Sequence, residues 1–399
     1  MSKVMQIKDR KVGVDHPCYL VAEISCNHEG NIDEAVRIIR ASKEAGADAI
    51  KIQTYTADTM TRDFKNKANT GSIWDGLDIY SIYHKAHTPW DWHEKLQRVA
   101  EDEGMHLFST PFDETAVDFL EKMNTPVYKV ASFEIVDIKL IERIARTGKP
   151  VIVSTGMANF LEIKEAVDTL RRHGAGQIAV LHCNSGYPAP FAEANLNTIP
   201  VIAALFDVVP GLSDHTMFAD PVNFNTPLGH VAGVEGVKLG AKIIEIHVTM
   251  DREHARQLMT GDKGGYDWAF SKEPHELKKM IDMIRQYEHT GKVAYETDIE
   301  REMAALSHGT VSFEPTKREK TSLPYRPTLW VVDNIKRGDT LSFAGGRPGN
   351  IDSIRPGGGL HIRYADFIDG QVATRDLKAG EPLQWDMIDL VKSSLAKIA

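Results

Sequence analysis

Cysteine is scarce in this chain: Cys18, Cys26 and Cys183 are the only three among 399 residues. Three thiols cannot build a disulfide framework, which fits a reducing compartment and a self-sufficient core. Long apolar runs are missing too, since none approaches the ~18 residues that a membrane span requires, so no membrane association is expected. Residues 1–12 carry charges without an apolar core or a small-residue cleavage site. No signal peptide is therefore expected, and the expected location is cytoplasmic. Positive charge is not in excess. Lysine plus arginine number 47 against 56 aspartate plus glutamate, a formal net charge of −9, which disfavours a nucleic-acid footprint. Walker-A and dinucleotide fingerprints are absent, which weakens any case for nucleotide binding. With 42% hydrophobic and 26% charged residues, the composition is that of a globular protein with room for two domains.

What is present, over residues 19–290, is one repeated pattern. A short apolar, β-branched run ends in polar residues, and a helical segment follows. The runs are 19–24, 49–52, 105–108, 127–131, 151–153, 178–181, 208–212 and 243–248. Such near-continuous apolar strands alternating with helices predict a closed (β/α)8 TIM barrel rather than an open sheet. Helix Ile32–Ala45 is the clearest connection: Asn31 caps it, Ile32, Ala35, Val36 and Ile39 form its stripe, and Gly46 stops it. The barrel domain is expected over 1–293. Residues 294–324 are charged, weakly periodic and broken by prolines, which predicts a linker. Residues 325–399 have short strands, many turns and an internal echo, NIKRGDTL at 334–341 against RDLKAGEPL at 375–383. The echo predicts a pseudo-symmetric small β domain. RPGGGL at 355–360 reads as a loop that lets backbone approach a ligand.

Barrel active sites lie where the strands end. Here the ends supply Glu23 and Asn27, Lys51 and Gln53, Ser109 and Thr110, Lys129 and Ser132, Ser154 and Thr155, His182 and Asn184, Ser213 to His215, and Glu245 with His247. Lysines as point charges and hydroxyls as donors suit a phosphate or carboxylate. A lysine at this place equally suits a Schiff base, which keeps an aldolase open. His215 and His247 end neighbouring strands and can share one divalent cation, with Glu23 as a further ligand or a base. Cys26 and Cys183 read as small structural residues. Trp74, Tyr80, Tyr83, Trp90 and Trp92 read as the packing of a lid, or as a wall for a sugar. A non-enzymatic alternative is a carbohydrate-binding protein on a decayed barrel.

Several strings together resemble the sialic acid synthase family: AEISCNHEG at 22–30, AIKIQT at 49–54, FSTPF at 108–112, YKVAS at 128–132, VSTG at 153–156 and GLSDH at 211–215. RPGGGL at 355–360 and GEPL at 380–383 resemble that family's antifreeze-like (SAF) domain. Within the family, QTYT at 53–56, SIWDG at 72–76 and Ser132-Phe133-Glu134 are similar to the pseudaminic acid branch; N-acetylneuraminate and legionaminic acid synthesis are the alternatives. The resemblance implies condensation of phosphoenolpyruvate with an N-acylated amino-sugar to a nine-carbon nonulosonic acid. It implies that Lys51, Thr110, Lys129, Ser132, Ser154 and Ser213 hold phosphoenolpyruvate, and that His215 and His247 hold a divalent metal, Mn²⁺ first, with Mg²⁺ or Co²⁺ as substitutes. Glu23 would help water add. Gln53, Phe133, Glu134, Asn184, Tyr187 and Asp267 would bind substrate. The family's swapped homodimer implies that Arg355 reaches the partner's site and meets the N-acyl group. An apolar Phe133 suits a 6-deoxy sugar, because burying an unpartnered hydroxyl costs about 1–3 kcal/mol. Three departures stand out: Ile246 where the family has Lys, Asn184 where it often has Thr, and expanded stretches at 253–265 and 295–309.

Overall fold

A computed structural model describes residues 4–68, 70–219 and 227–390; the outermost parts of the two expected domains, 1–3 and 391–399, lie outside it. Eight parallel strands close into a barrel. They are β1 (Tyr19–Glu23), β2 (Ala49–Thr54), β3 (His106–Pro111), β4 (Tyr128–Val130), β5 (Val151–Ser154), β6 (Ile178–Cys183), β7 (Val209–Asp214) and β8 (Ile243–His247). β8 closes the ring on both sides, with His247 paired to Glu23 of β1 and Ile246 to Asp214 of β7.

The strand period of two sorts the side chains. Tyr19, Val21, Ala49, Phe108, Ile152 and Ile243 pack inside the barrel, whereas Leu20, Ala22, Ile50, Leu107, Ile244 and Ile246 pack outward against the helices. An N-terminal hairpin, Val4–Ile7 with Arg10–Gly13, adds Met5, Ile7 and Val12 to the inward cluster and stoppers one end. Helix Ile32–Ala45 has the expected limits. The Asn31 side chain accepts from Asp33 N–H, and Gly46 takes φ 100°, a left-handed conformation that favours glycine.

Residues 294–324 differ from a linker. They contain helix Asp298–His308, started by a Thr297–Glu300 capping box, with Met303 and Ala304 in the barrel's outer core. Its buried face also includes Glu300 and Ser307. Glu300 accepts from Lys279 at 2.8 Å and faces His230, so a polar partner network replaces the apolar stripe by which a helix is usually recognised.

In the small domain β9 (Thr328–Val331) pairs antiparallel with β10 (Ile351–Ile354). The echo is visible as a repeated bonding pattern. Ile335 and Leu377 exchange backbone bonds; Gly338 N–H donates to Ala373 O and Gly380 N–H to Val331 O; Leu341 N–H donates to Gln371 O and Leu383 N–H to Leu329 O. Gly338 and Gly380 share the same left-handed turn at φ 91° and 93°. This domain sits on the barrel through Arg347 with Glu114 and Asp118, Lys139 with Asp366, and Arg326 with Glu162.

Candidate active site

The inward rows end in polar residues at one mouth of the barrel, around a cavity of about 180 Å³. Of the residues given a role by the resemblance, all but Glu23, Glu134 and Asn184 line it; of the other strand-end residues, Asn27, Ser109, Thr155, His182 and Asp214 stay outside it. The floor is a charge lattice. Lys51 Nζ pairs with Glu23 Oε2 at 2.5 Å, lies 3.8 Å from Glu245 Oε1 and donates to Thr110 Oγ1 at 3.2 Å. Lys129 Nζ donates to Ser154 Oγ at 2.7 Å and lies 3.5 Å from Glu245 Oε1. Ser213 Oγ donates to the same Glu245 oxygen at 2.9 Å.

Burial governs how these groups titrate, and their neighbours correct it. Burial alone would raise the Glu245 carboxyl, but Lys129, Lys51 and the Ser213 hydroxyl overcome it and hold it down to about 2. Burial pushes the Glu23 carboxyl above the usual range against the pull of Lys51. Lys129 falls below the usual lysine range through burial, with Lys51 adding to the effect and Glu245 opposing it. Burial works the same way on Lys51, yet Glu23 and Glu245 outweigh it and the amine is raised.

His215 and His247 are neighbours, with ring centroids 5.2 Å apart. His215 Nδ1 meets Asn184 O at 3.0 Å, and His247 Nδ1 meets Asp267 Oδ2 at 3.1 Å. The first contact fixes the His215 ring by Nδ1, the second sets the Asp267 carboxylate beside His247 Nδ1, and both leave Nε2 as the nitrogen able to bind a cation, as outer partners of metal-binding histidines do. Burial and His247 hold His215 down to about 3, in its neutral, ligating form. No third His, Cys, Asp or Glu joins the pair among the described residues. Glu23, expected as a further ligand, is taken by Lys51 instead, so water and substrate oxygens would complete the coordination. The charge count fits a cation as well. Glu23, Glu245 and Asp267 oppose Lys51 and Lys129, so the floor is not cationic on its own, and a divalent ion at the histidines would reverse the balance.

The upper wall is aromatic. Phe133 stacks on Tyr187 at 6.2 Å, and Tyr187 lies 5.6 Å from Trp74 and 5.0 Å from Phe270. Trp74 and Tyr83 thus belong to the pocket wall, while Trp90 packs on Phe119 at 4.7 Å, away from it. Arg355 reaches in from the small domain. It is buried, pairs with Glu134, donates to Tyr83 Oη at 2.9 Å and lies over Phe133 at 4.9 Å. Within the single chain it lines that chain's own pocket.

Asn184 does not reach the cavity. Its Nδ2 donates to Glu193 O at 2.7 Å and its Oδ1 accepts from Gly186 N–H at 2.8 Å, so it shapes the loop behind. Glu245 is the residue that sequence reasoning left without a role. It stood at a strand end two positions from His247, on the same inward face, which was its only local signal. Cys26 and Cys183 line the cavity too, with burial raising both thiols.

A closed barrel with a single polar mouth, a histidine pair on adjacent strands and a small β domain reaching into that mouth defines a two-domain barrel class. Within it, the chain belongs to the NeuB family, which residues 38–294 match, and residues 326–389 match the SAF domain. It is 35% identical to a pseudaminic acid synthase from Helicobacter pylori, over 94% of this chain and 98% of that one. It is 30% identical to an N,N'-diacetyllegionaminic acid synthase from Campylobacter jejuni, over 91% of this chain and 97% of that one. The crystal structure of the spore coat polysaccharide biosynthesis protein SpsE from Bacillus subtilis superposes with a TM-score of 0.77 at 30% identity, covering 97% of this chain and 99% of that one.

Proposed function

We propose that the chain condenses phosphoenolpyruvate with an N-acylated amino-sugar and water to give a nine-carbon nonulosonic acid and phosphate. The preferred acceptor is a 2,4-diacetamido-2,4,6-trideoxyhexose, as in a pseudaminic acid synthase. The observation that carries this reading is the joining of a paired-lysine floor to two adjacent imidazoles in one cavity. The synthases among its relatives support nonulosonic acid formation, and the stacked Phe133 and Tyr187 favour a deoxy sugar.

Lys51, Lys129 and the hydroxyls of Thr110, Ser132, Ser154 and Ser213 hold the phosphate and carboxylate. A divalent cation on His215 and His247, Mn²⁺ in this proposal, supplies Lewis acidity toward the sugar carbonyl. C3 of the enol bonds to that carbon as the carbonyl π bond breaks and its oxygen takes up a proton, water adds at C2 and gives up a proton, and the adduct loses phosphate by C–O cleavage. Glu23, which meets the cavity only through Lys51, would take up the water's proton by way of that amine, a role its raised carboxyl suits. Arg355, held by Glu134, meets the N-acyl group. Exchange of the small domain within a homodimer would bring an equivalent Arg355 to the same place.

The test is phosphate release from phosphoenolpyruvate with a panel of 2-acetamido and 2,4-diacetamido hexoses, after chelation and with Mn²⁺ returned. Release that needs both the cation and a diacetamido sugar is expected, and His215→Ala and His247→Ala should each lower it by at least ~10²-fold. No release with any sugar would end the proposal. One observation favours a second reading, a Schiff-base aldolase: the Lys129 amine lies below the usual lysine range. Borohydride with pyruvate separates the two. No adduct is expected, because Lys129 is engaged by Ser154 and Glu245.

A further inference from the structure

Lys272 is fully buried and takes no part in the cavity. Its side chain lies behind the barrel wall, where Nζ donates to Thr216 O at 2.7 Å and to Phe270 O at 3.4 Å, 4.0 Å from Asp214 Oδ2. Its backbone N–H donates to His247 O at 2.8 Å. One residue thus touches the end of β8, which carries His247, and the turn 214–216, which carries His215.

Asp214 explains why a cation is needed there. It is buried, and its Oδ1 accepts from Thr216 N–H at 2.8 Å, while Oδ2 has no hydrogen-bond partner. Its register partner on β8 is Ile246, which offers no charge. The other carboxylate near Lys272, Glu276, is taken by Arg252. Gly229 packs so closely that a Cβ there would come within 2.7 Å of Lys272 Cδ. Burying an ammonium is costly, and it is stable where a carboxylate and carbonyl oxygens answer it.

We propose that Lys272 is a positioning residue for the histidine pair: it compensates Asp214 behind the wall and ties the two histidine-bearing strand ends together. This rests on the cation site proposed above. Lys272 acts through backbone and Asp214, never on substrate, so its signature is cation affinity.

The experiment titrates the full-length chain with Mn²⁺, reading free Mn²⁺ by electron paramagnetic resonance and the fold by circular dichroism. Lys272→Met should weaken binding about 10–100-fold, the usual effect of losing an outer partner. Lys272→Met with Ile246→Lys returns an ammonium beside Asp214 from the adjacent strand and should restore affinity to within about threefold. Unchanged affinity in a folded Lys272→Met overturns the proposal. So does a folded double variant that still binds weakly, and this second result decides the matter if Lys272→Met alone does not fold. If the wild-type chain binds no Mn²⁺, the cation site itself has failed. The Lys272–Asp214 pairing is then read from melting temperatures in a cycle of Lys272→Met, Asp214→Asn and both. Recovery in the double variant supports the pairing, and additive losses overturn it.

Discussion

Glu245 receives the charge of two lysines and the Ser213 hydroxyl through one carboxylate oxygen. Glu245→Gln keeps the shape and removes the charge, leaving Lys51 and Lys129 to repel each other across the floor. A loss of about 10²-fold in kcat/KM is expected, read as phosphate release. The same substitution has a pH signature. The Glu245 carboxyl falls from an ordinary 4.5 to about 2 in the folded chain. The folded state therefore gains stability above pH 4.5 and loses it as pH falls toward 2. Melting temperature against pH should be flatter in that acid window for Glu245→Gln than for the wild type. The partners of Glu245 could not be read locally, because they come from β2, β4 and β7 and meet only when the barrel closes. By contrast the placing of Lys51, Lys129, His215 and His247 at one mouth was legible, since each lies within or directly after an apolar strand run of the barrel. Asn184 misled for a related reason: it also follows a strand, but the loop beyond folds back and uses its amide for backbone bonds.

At the scale of elements, legibility followed periodicity. Ile32–Ala45 shows a helical stripe, a side-chain cap and a glycine stop, and the structure reproduces all three. Asn31→Ala should cost about 1 kcal/mol, measured by urea denaturation of the whole chain. The helix Asp298–His308 was missed because its inner face alternates apolar residues with Glu300, whose partners Lys279 and His230 belong to the barrel, and with Ser307, whose hydroxyl donates to Ala304 O of the same helix. The segment after it is equally engaged. Glu319 accepts from Ser185 N–H at 2.8 Å, and Ser322 Oγ donates to Ser185 O at 2.6 Å, while Ser185 Oγ donates to Ser132 Oγ at 2.7 Å. A stretch expected only to connect thus reaches within one residue of the pocket's hydroxyls.

For the whole molecule, the seam between barrel and small domain carries carboxyls that hold their protons unusually well. Burial, with Glu134 nearby, raises Asp137 from 3.8 to about 7, and burial raises Asp352 from 3.8 to about 6. Asp137 Oδ2 accepts from Ser353 Oγ across the seam at 3.3 Å. Between 3.8 and about 7 the folded chain keeps a proton on Asp137 that the unfolded chain releases. Stability from this group therefore falls as pH rises through that window and is level above it. Asp137→Asn, which still offers an oxygen to Leu140 N–H, should lessen the decline in melting temperature between those two pH values. No helix among the described residues is long and apolar enough to cross a membrane.

The hairpin that plugs the barrel with Met5, Ile7 and Val12 turns the interior into a vessel with one opening. Strand-borne Lys51 and Lys129 lie at its bottom, whereas Phe133 from the turn after β4, Tyr83 from helix Ile79–Ala86 and the visiting Arg355 stand around its neck. Traffic through a neck is sequential: in the proposed reaction the three-carbon acid would have to enter before the sugar blocks its path. Initial-rate studies should accordingly show compulsory-order kinetics, with a non-reacting sugar analogue trapping bound phosphoenolpyruvate rather than excluding it.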